Sequence, residues 1–159
     1  MSRAAAILCA AVAAAPLGMG SASGQSGPQG DARRIAGAWR YIGTTIDGKP
    51  RPGRGTDPKG IIFYTAGGHM AAQIAPDRRL KTAGSEPTPD EAKAALAGYI
   101  AYFGTYTLDE HTRTVTHHRH GSVQPDGMPD LVRRYEFAGD RLILRPPNST
   151  QEITWERIK

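Results

Sequence analysis

Three imidazoles within four positions, His117, His118 and His120, and the run Arg133-Arg134-Tyr135 carry the most chemistry in this chain. Both runs read as strands, so neighbouring side chains point to opposite faces. His118 and His120 share one face. His117 shares the other with Val115, the clearest apolar position of its strand, which places His117 on the inner face and His118 and His120 outside or near a rim. An inward His117 is a hydrogen-bonding group on a cavity wall, a satisfied core histidine or, given a positioned partner, a general base. Arg133 alternates with Leu131, Tyr135 and Phe137 and is also inward. A guanidinium there is costly unless it meets a buried carboxylate or an anionic ligand. Tyr102, Tyr106 and Tyr135 add phenols to the same sheet, as core, girdle or cavity residues. His117, Arg133, Tyr102, Tyr106 and Tyr135 are thus the candidate ligand-binding set, for a small hydrophobic or amphipathic molecule with an acidic or phenolic end.

Other chemistries find less support. His118 and His120, with His111 or His69, have alternate-position spacing for chelation, but no carboxylate lies at a suitable spacing and Arg119 intervenes, so no metal is expected. Nor is a cofactor expected. No Gly-x-Ser-x-Gly elbow occurs, and Gly53–Gly60 lacks the residue order of a phosphate loop. No residue is assigned a catalytic role. A cyclase or isomerase using the same cavity is the alternative to binding, and a barrel filled by its own side chains is the third reading.

The elements that must position these groups are mostly strands. Asp31–Ala36 reads as one helical turn, followed by a first strand over Gly37–Ile46. Asp47–Lys59, with three prolines and three glycines, is a loop. Ile61–Thr65 and His69–Ile74 form a hairpin around Ala66-Gly67-Gly68. Thr88-Pro89-Asp90-Glu91 starts a helix: Thr88 caps, Pro89 fits the first helical position and Glu91 closes a capping box. Ala92, Leu96, Tyr99, Ile100 and Phe103 extend it as an apolar stripe, and Gly98 predicts fraying. Tyr102–Leu108 pairs with Arg113–His120, Leu131–Ala138 with Arg141–Arg145, and Glu152–Ile158 is the last strand. The expected fold is all-β with one helix: a single antiparallel up-and-down β-barrel of about eight strands, with Thr88–Tyr99 packed over a mouth or one side. Trp39 and Trp155, in the first and last strands, are expected as barrel plugs or core.

Composition and the N-terminal segment set the context. Arg3, the apolar run Ala4–Ala15 and the small residues Ser21-Ala22-Ser23-Gly24 read as a cleaved signal peptide over residues 1–24. A flexible lead-in over 25–34 and a barrel domain over 35–159 follow. The expected location is therefore periplasmic or secreted, with no stable membrane span, since the apolar run is short and broken by Pro16 and Gly18. The one cysteine, Cys9, lies in that leader, which leaves no thiol or disulfide chemistry to the mature chain. The formal charge is +5. Its basic residues are scattered, with no aromatic platform between them, so nucleic acid is not an expected partner. Lys49–Arg54 reads as a solvated loop, with weak attraction to an anionic envelope surface as its functional alternative.

Several of these runs, taken in order, resemble the bacterial lipocalin-like domain family: Gly37-Ala38-Trp39-Arg40, Tyr64–Met70, Tyr102–Tyr106, Thr116-His117-His118 and Arg133-Arg134-Tyr135. The resemblance spans Ile35 to Arg157 and departs in the loops, most at Gln124–Asp130. Gly-x-Trp in a first strand is also similar to the start of true lipocalins, where the indole plugs one barrel end. The resemblance implies a closed barrel with a ligand cavity.

Overall fold

Alternating burial is the local rule from which the architecture grows. In the computed structural model, which describes residues 29–77, 82–124 and 127–159, the first strand, β1 (Gly37–Ile46), buries Trp39 and Tyr41 and exposes Arg40 and Ile42. Eight further strands follow: β2 (Lys49–Pro50), β3 (Lys59–Tyr64), β4 (His69–Ala75), β5 (Ile100–Asp109), β6 (Thr114–Ser122), β7 (Leu131–Ala138), β8 (Arg141–Arg145) and β9 (Glu152–Arg157). From β3 on, each pairs antiparallel with the next in sequence. β3 also pairs with the start of β1, and β9 returns to β1, with Tyr41 opposite Trp155. That last pairing closes an eight-strand barrel and leaves no long edge exposed. The extra strand, β2, folds back on the end of β1, Thr45 opposite Pro50.

Registers assign the two ends. The turns Thr65–Gly68, Glu110–Arg113 and Gly139-Asp140, and the start of β1, lie at one end; the strand ends that border the longer connections after β1, β4, β6 and β8 lie at the other. The first end is sealed by α1 (Gln29–Ile35), which drops Ile35 into the core with no exposure. Tyr135 Oη donates to Asp31 at 2.9 Å, Ala32 N donates to Glu110 Oε1 at 3.0 Å, and Arg34 reaches Gly139 O, so α1 is tied to β7 and to two strand connections. Trp39 lies directly beneath. Its indole N–H donates to Ile35 O at 2.8 Å, and the Arg157 guanidinium stacks 4.1 Å from its ring centroid.

The second helix, α2 (Pro89–Leu96), sits at the opposite end. Its predicted start is observed in full: Thr88 accepts from Glu91 N, and the Glu91 carboxylate accepts from Thr88 N. Its end differs from expectation. The helix stops at Leu96, Gly98 takes φ +74°, and Ile100 already opens β5, so Ile100 and Phe103 belong to a strand and not to a helical stripe. Gly98 has a physical reason: a Cβ there would lie 3.0 Å from Gly53 O, and its φ is one that L side chains rarely adopt. α2 buries no residue fully, which is why an apolar periodicity read from sequence overstated its length.

The helical turn expected over Asp31–Ala36 corresponds to α1, so with α2 there are two helices among the described residues. One other expectation is corrected. Lys49–Arg54 is not simply a solvated loop: Lys49 and Pro50 form β2, and Arg54 is buried against Tyr41. The leader expected over 1–24 lies outside the described residues. No helix among the described residues is long and apolar enough to cross a membrane.

Candidate functional site

Between the sealed end and α2 the barrel holds a cavity of about 700 Å³. That is within the usual range of small-molecule sites. Ile62, Ala72, Ile74, Leu144, Ile153 and Trp155 give it apolar walls. Its mouth is framed by Arg51–Arg54, Leu96–Tyr99, Gln124 and Pro146.

His117 is where strand alternation puts it, 1% exposed on the inner face of β6. Its partners are two phenols: Tyr64 Oη at 2.7 Å from Nε2 and Tyr102 Oη at 3.0 Å from Nδ1. Burial, then the nearby Arg133 and His118, push its pKa down to about 3, so the ring is neutral. Burial likewise raises Tyr102 to about 12 and Tyr64 well above its ordinary value. Three hydrogens, one per group, are thus shared over two contacts. Tyr64 is fully buried with His117 as its hydrogen-bond partner, so its O–H donates to Nε2. Nδ1–H then donates to Tyr102 Oη, and the leftover hydrogen is that of Tyr102, which lines the cavity. This chain turns a buried histidine into a fixed mount for a cavity-facing O–H donor.

Arg133 also lines the cavity, as its alternation predicts. Its Nη1 donates to the adjacent Val132 O at 2.7 Å, and it has no carboxylate partner among the described residues. Burial works against its charge, while the phenols of Tyr102 and Tyr64 favour it. Tyr106 and Tyr135 lie elsewhere. Tyr106 donates to Thr65 O at 2.8 Å and packs edge-on to Tyr64, and Tyr135 reaches Asp31; both serve the sealed end and neither lines the cavity. The tryptophans divide in the same way. Trp39 sits under α1, whereas Trp155 lines the cavity, edge-on to Tyr41. The Trp155 Nε1–H is buried and finds no acceptor among the described residues.

Outside the barrel, His118 lies between Asp130 Oδ2 at 2.8 Å and Thr107 Oγ1 at 3.1 Å, and His120 is exposed. Between them Arg119 turns inward onto the cavity wall. It was not singled out, although it continues the alternation Val115, His117, Arg119. Arg54 was also missed. It reaches the cavity from a loop, with Nη1 3.4 Å from Tyr41 Oη. No periodicity reaches across a loop, so no signal in the sequence pointed to it.

A small barrel sealed at one end and hollow at the other is the architecture of proteins that enclose one small molecule. The lipocalin-like domain family profile matches residues 36–158, and the chain belongs to that family. No curated protein matches it in sequence. Among solved structures, a DUF4847 family protein from Bacteroides vulgatus is similar at 14% identity and a TM-score of 0.45, over 79% of this chain and 94% of that one.

Proposed function

We propose that this protein binds one small apolar or amphipathic molecule in its barrel, in the periplasm or outside the cell. The carrying observation is the cavity itself: about 700 Å³, with aliphatic and indole walls, polar anchors at His117-linked Tyr102 and at Arg133, and one mouth. A barrel serving only as an interaction module would be filled by its own side chains. Acid–base catalysis is poorly served by the same groups. His117 has phenols, not a carboxylate, for partners, and its depressed pKa and the raised one of Tyr102 leave neither near neutrality. The location is supported by the leader-like run from Arg3 to Gly24.

The test is native mass spectrometry of the full chain expressed in a bacterium with its own leader and collected from the periplasm. A retained small molecule and a mature N-terminus near Gly24 are expected. A protein that arrives empty, and whose melting temperature no lipid or aromatic compound raises, sinks the binding reading.

A further inference from the structure

Apart from the amides of Gln124 and Gln151 and the phenol of Tyr99, the polar side chains on the cavity wall are arginines, His117, Tyr102 and the Trp155 indole. Arg51, Arg54, Arg119 and Arg133 line it, and among the described residues no aspartate or glutamate does. For Arg51, Arg54 and Arg133 the side-chain contacts are all neutral. Arg51 meets Gln151 at 3.4 Å, Arg54 meets the Tyr41 phenol, and Arg133 meets a backbone carbonyl. Arginine does not escape by losing its proton. Three guanidinium charges therefore face one hollow without a compensating carboxylate among the described residues. Tyr102 adds to this polarity, because Tyr64 and His117 use up the other hydrogens of their chain and leave the Tyr102 O–H to donate.

Resting on the reading of the cavity as a ligand site, we infer that its ligand is an organic acid. Its carboxylate is held by the Arg133 guanidinium and the Tyr102 O–H, with its apolar part against Ile62, Ile74, Ile153 and Trp155. A carboxylate fits better than a neutral phenol or alcohol because it accepts at both oxygens and donates nowhere. A hydroxyl head brings a hydrogen for which the wall offers few acceptors. The mouth arginines Arg51 and Arg54 add attraction at longer range and shorten the search for the opening.

The experiment pairs acids with neutral analogues of the same shape. Dodecanoate is compared with methyl dodecanoate and 1-dodecanol, and 2-naphthoate with methyl 2-naphthoate, so aliphatic and aromatic sources are told apart. Binding to the purified, delipidated mature protein is followed through the fluorescence of Trp155, assigned by the loss of the response in Trp155→Phe. At least one acid is expected to bind tenfold or more tightly than its neutral partner. In Arg133→Gln that preference is expected to fall to threefold or less. If the neutral partners bind as tightly as the acids to the unmodified protein, the acid inference is wrong and the cavity reading stands. If no probe binds and the periplasmic protein carries no small molecule, the cavity reading itself fails. The comparison on the unmodified protein decides the matter even if Arg133→Gln does not fold.

Discussion

The two ends of the barrel are built from the same strands and use their polar groups in opposite ways. At the sealed end donors meet acceptors: Trp39 Nε1 has Ile35 O, Tyr135 has Asp31, Tyr106 has Thr65 O, and Arg157 caps the Trp39 ring while donating to Arg34 O and Ala36 O. At the mouth end Trp155 Nε1, the Tyr102 hydrogen and the Arg133 charge are left uncompensated by the described residues. An unmet buried donor costs about 1–3 kcal/mol. The contrast teaches that stability is concentrated at one end and that the other retains unmet polarity where a ligand can meet it.

The largest expected effect breaks the sealed end. Trp39→Ala removes the ring that α1 and Arg157 close upon and is expected to cost about 3–5 kcal/mol in urea unfolding, with α1 losing hydrogen-exchange protection. Retained stability would mean that α1, not Trp39, holds that end.

Acid is the next probe, and it acts at the boundary between the two ends. His117 stays neutral in the folded barrel until about pH 3, whereas in the unfolded chain it takes up a proton near pH 6.5. The unfolded state therefore binds more protons between these values. Stability attributable to His117 is full above pH 6.5 and is lost as pH falls toward 3. Carboxylates add their own acid dependence, so the measurement is a difference: the slope of unfolding free energy from pH 6.5 to 4 is expected to be shallower in His117→Gln than in the unmodified protein. Equal slopes would mean that His117 is not held neutral.

The two phenols on His117 should then separate. Tyr64→Phe strips a fully buried imidazole nitrogen of its donor and is expected to cost about 1–3 kcal/mol. Tyr102→Phe exposes Nδ1–H to the cavity, where water can accept it, and is expected to cost less than Tyr64→Phe while removing more ligand affinity. The reverse order would reverse the assigned direction of the hydrogens. The smallest effect is at the mouth. Thr88→Ala breaks the capping box and is expected to cost about 1 kcal/mol locally, seen as faster exchange in α2 with little change in global unfolding, because α2 buries no residue fully.

The contrast between the ends was only partly legible in the sequence. Alternation is local, so the inward facing of His117 and Arg133 and the outward facing of His118 followed from neighbouring residues. Depth along the barrel is not local. Tyr102 and Tyr106 share a face of β5, yet one borders the cavity and the other the sealed end, because the cross-strand register sets their heights. The β5–β6 register also shifts between Phe103 and Gly104, where a Cβ on Gly104 would fall 1.9 Å from His118 O. That close approach of two backbones explains the glycine inside the Tyr102–Tyr106 run, which as a sequence motif carried no reason for its Gly. Arg119 was within reach of the alternation rule and was passed over as an intervening charge. Arg54 was out of reach, since a loop rich in Pro and Gly has no period to read.

α1 has one further consequence, for kinetics. With the far end sealed, arrival and departure share one road, and whatever part of a molecule goes in first comes out last. Leu131 opens β7 at the mouth and Arg133 lies two residues further in, so a head group seated there must lead on the way in. Any outward step must first break the bonds at the head, and the apolar contacts of the tail along the walls are then lost through the same opening, so head and walled tail together set the residence time.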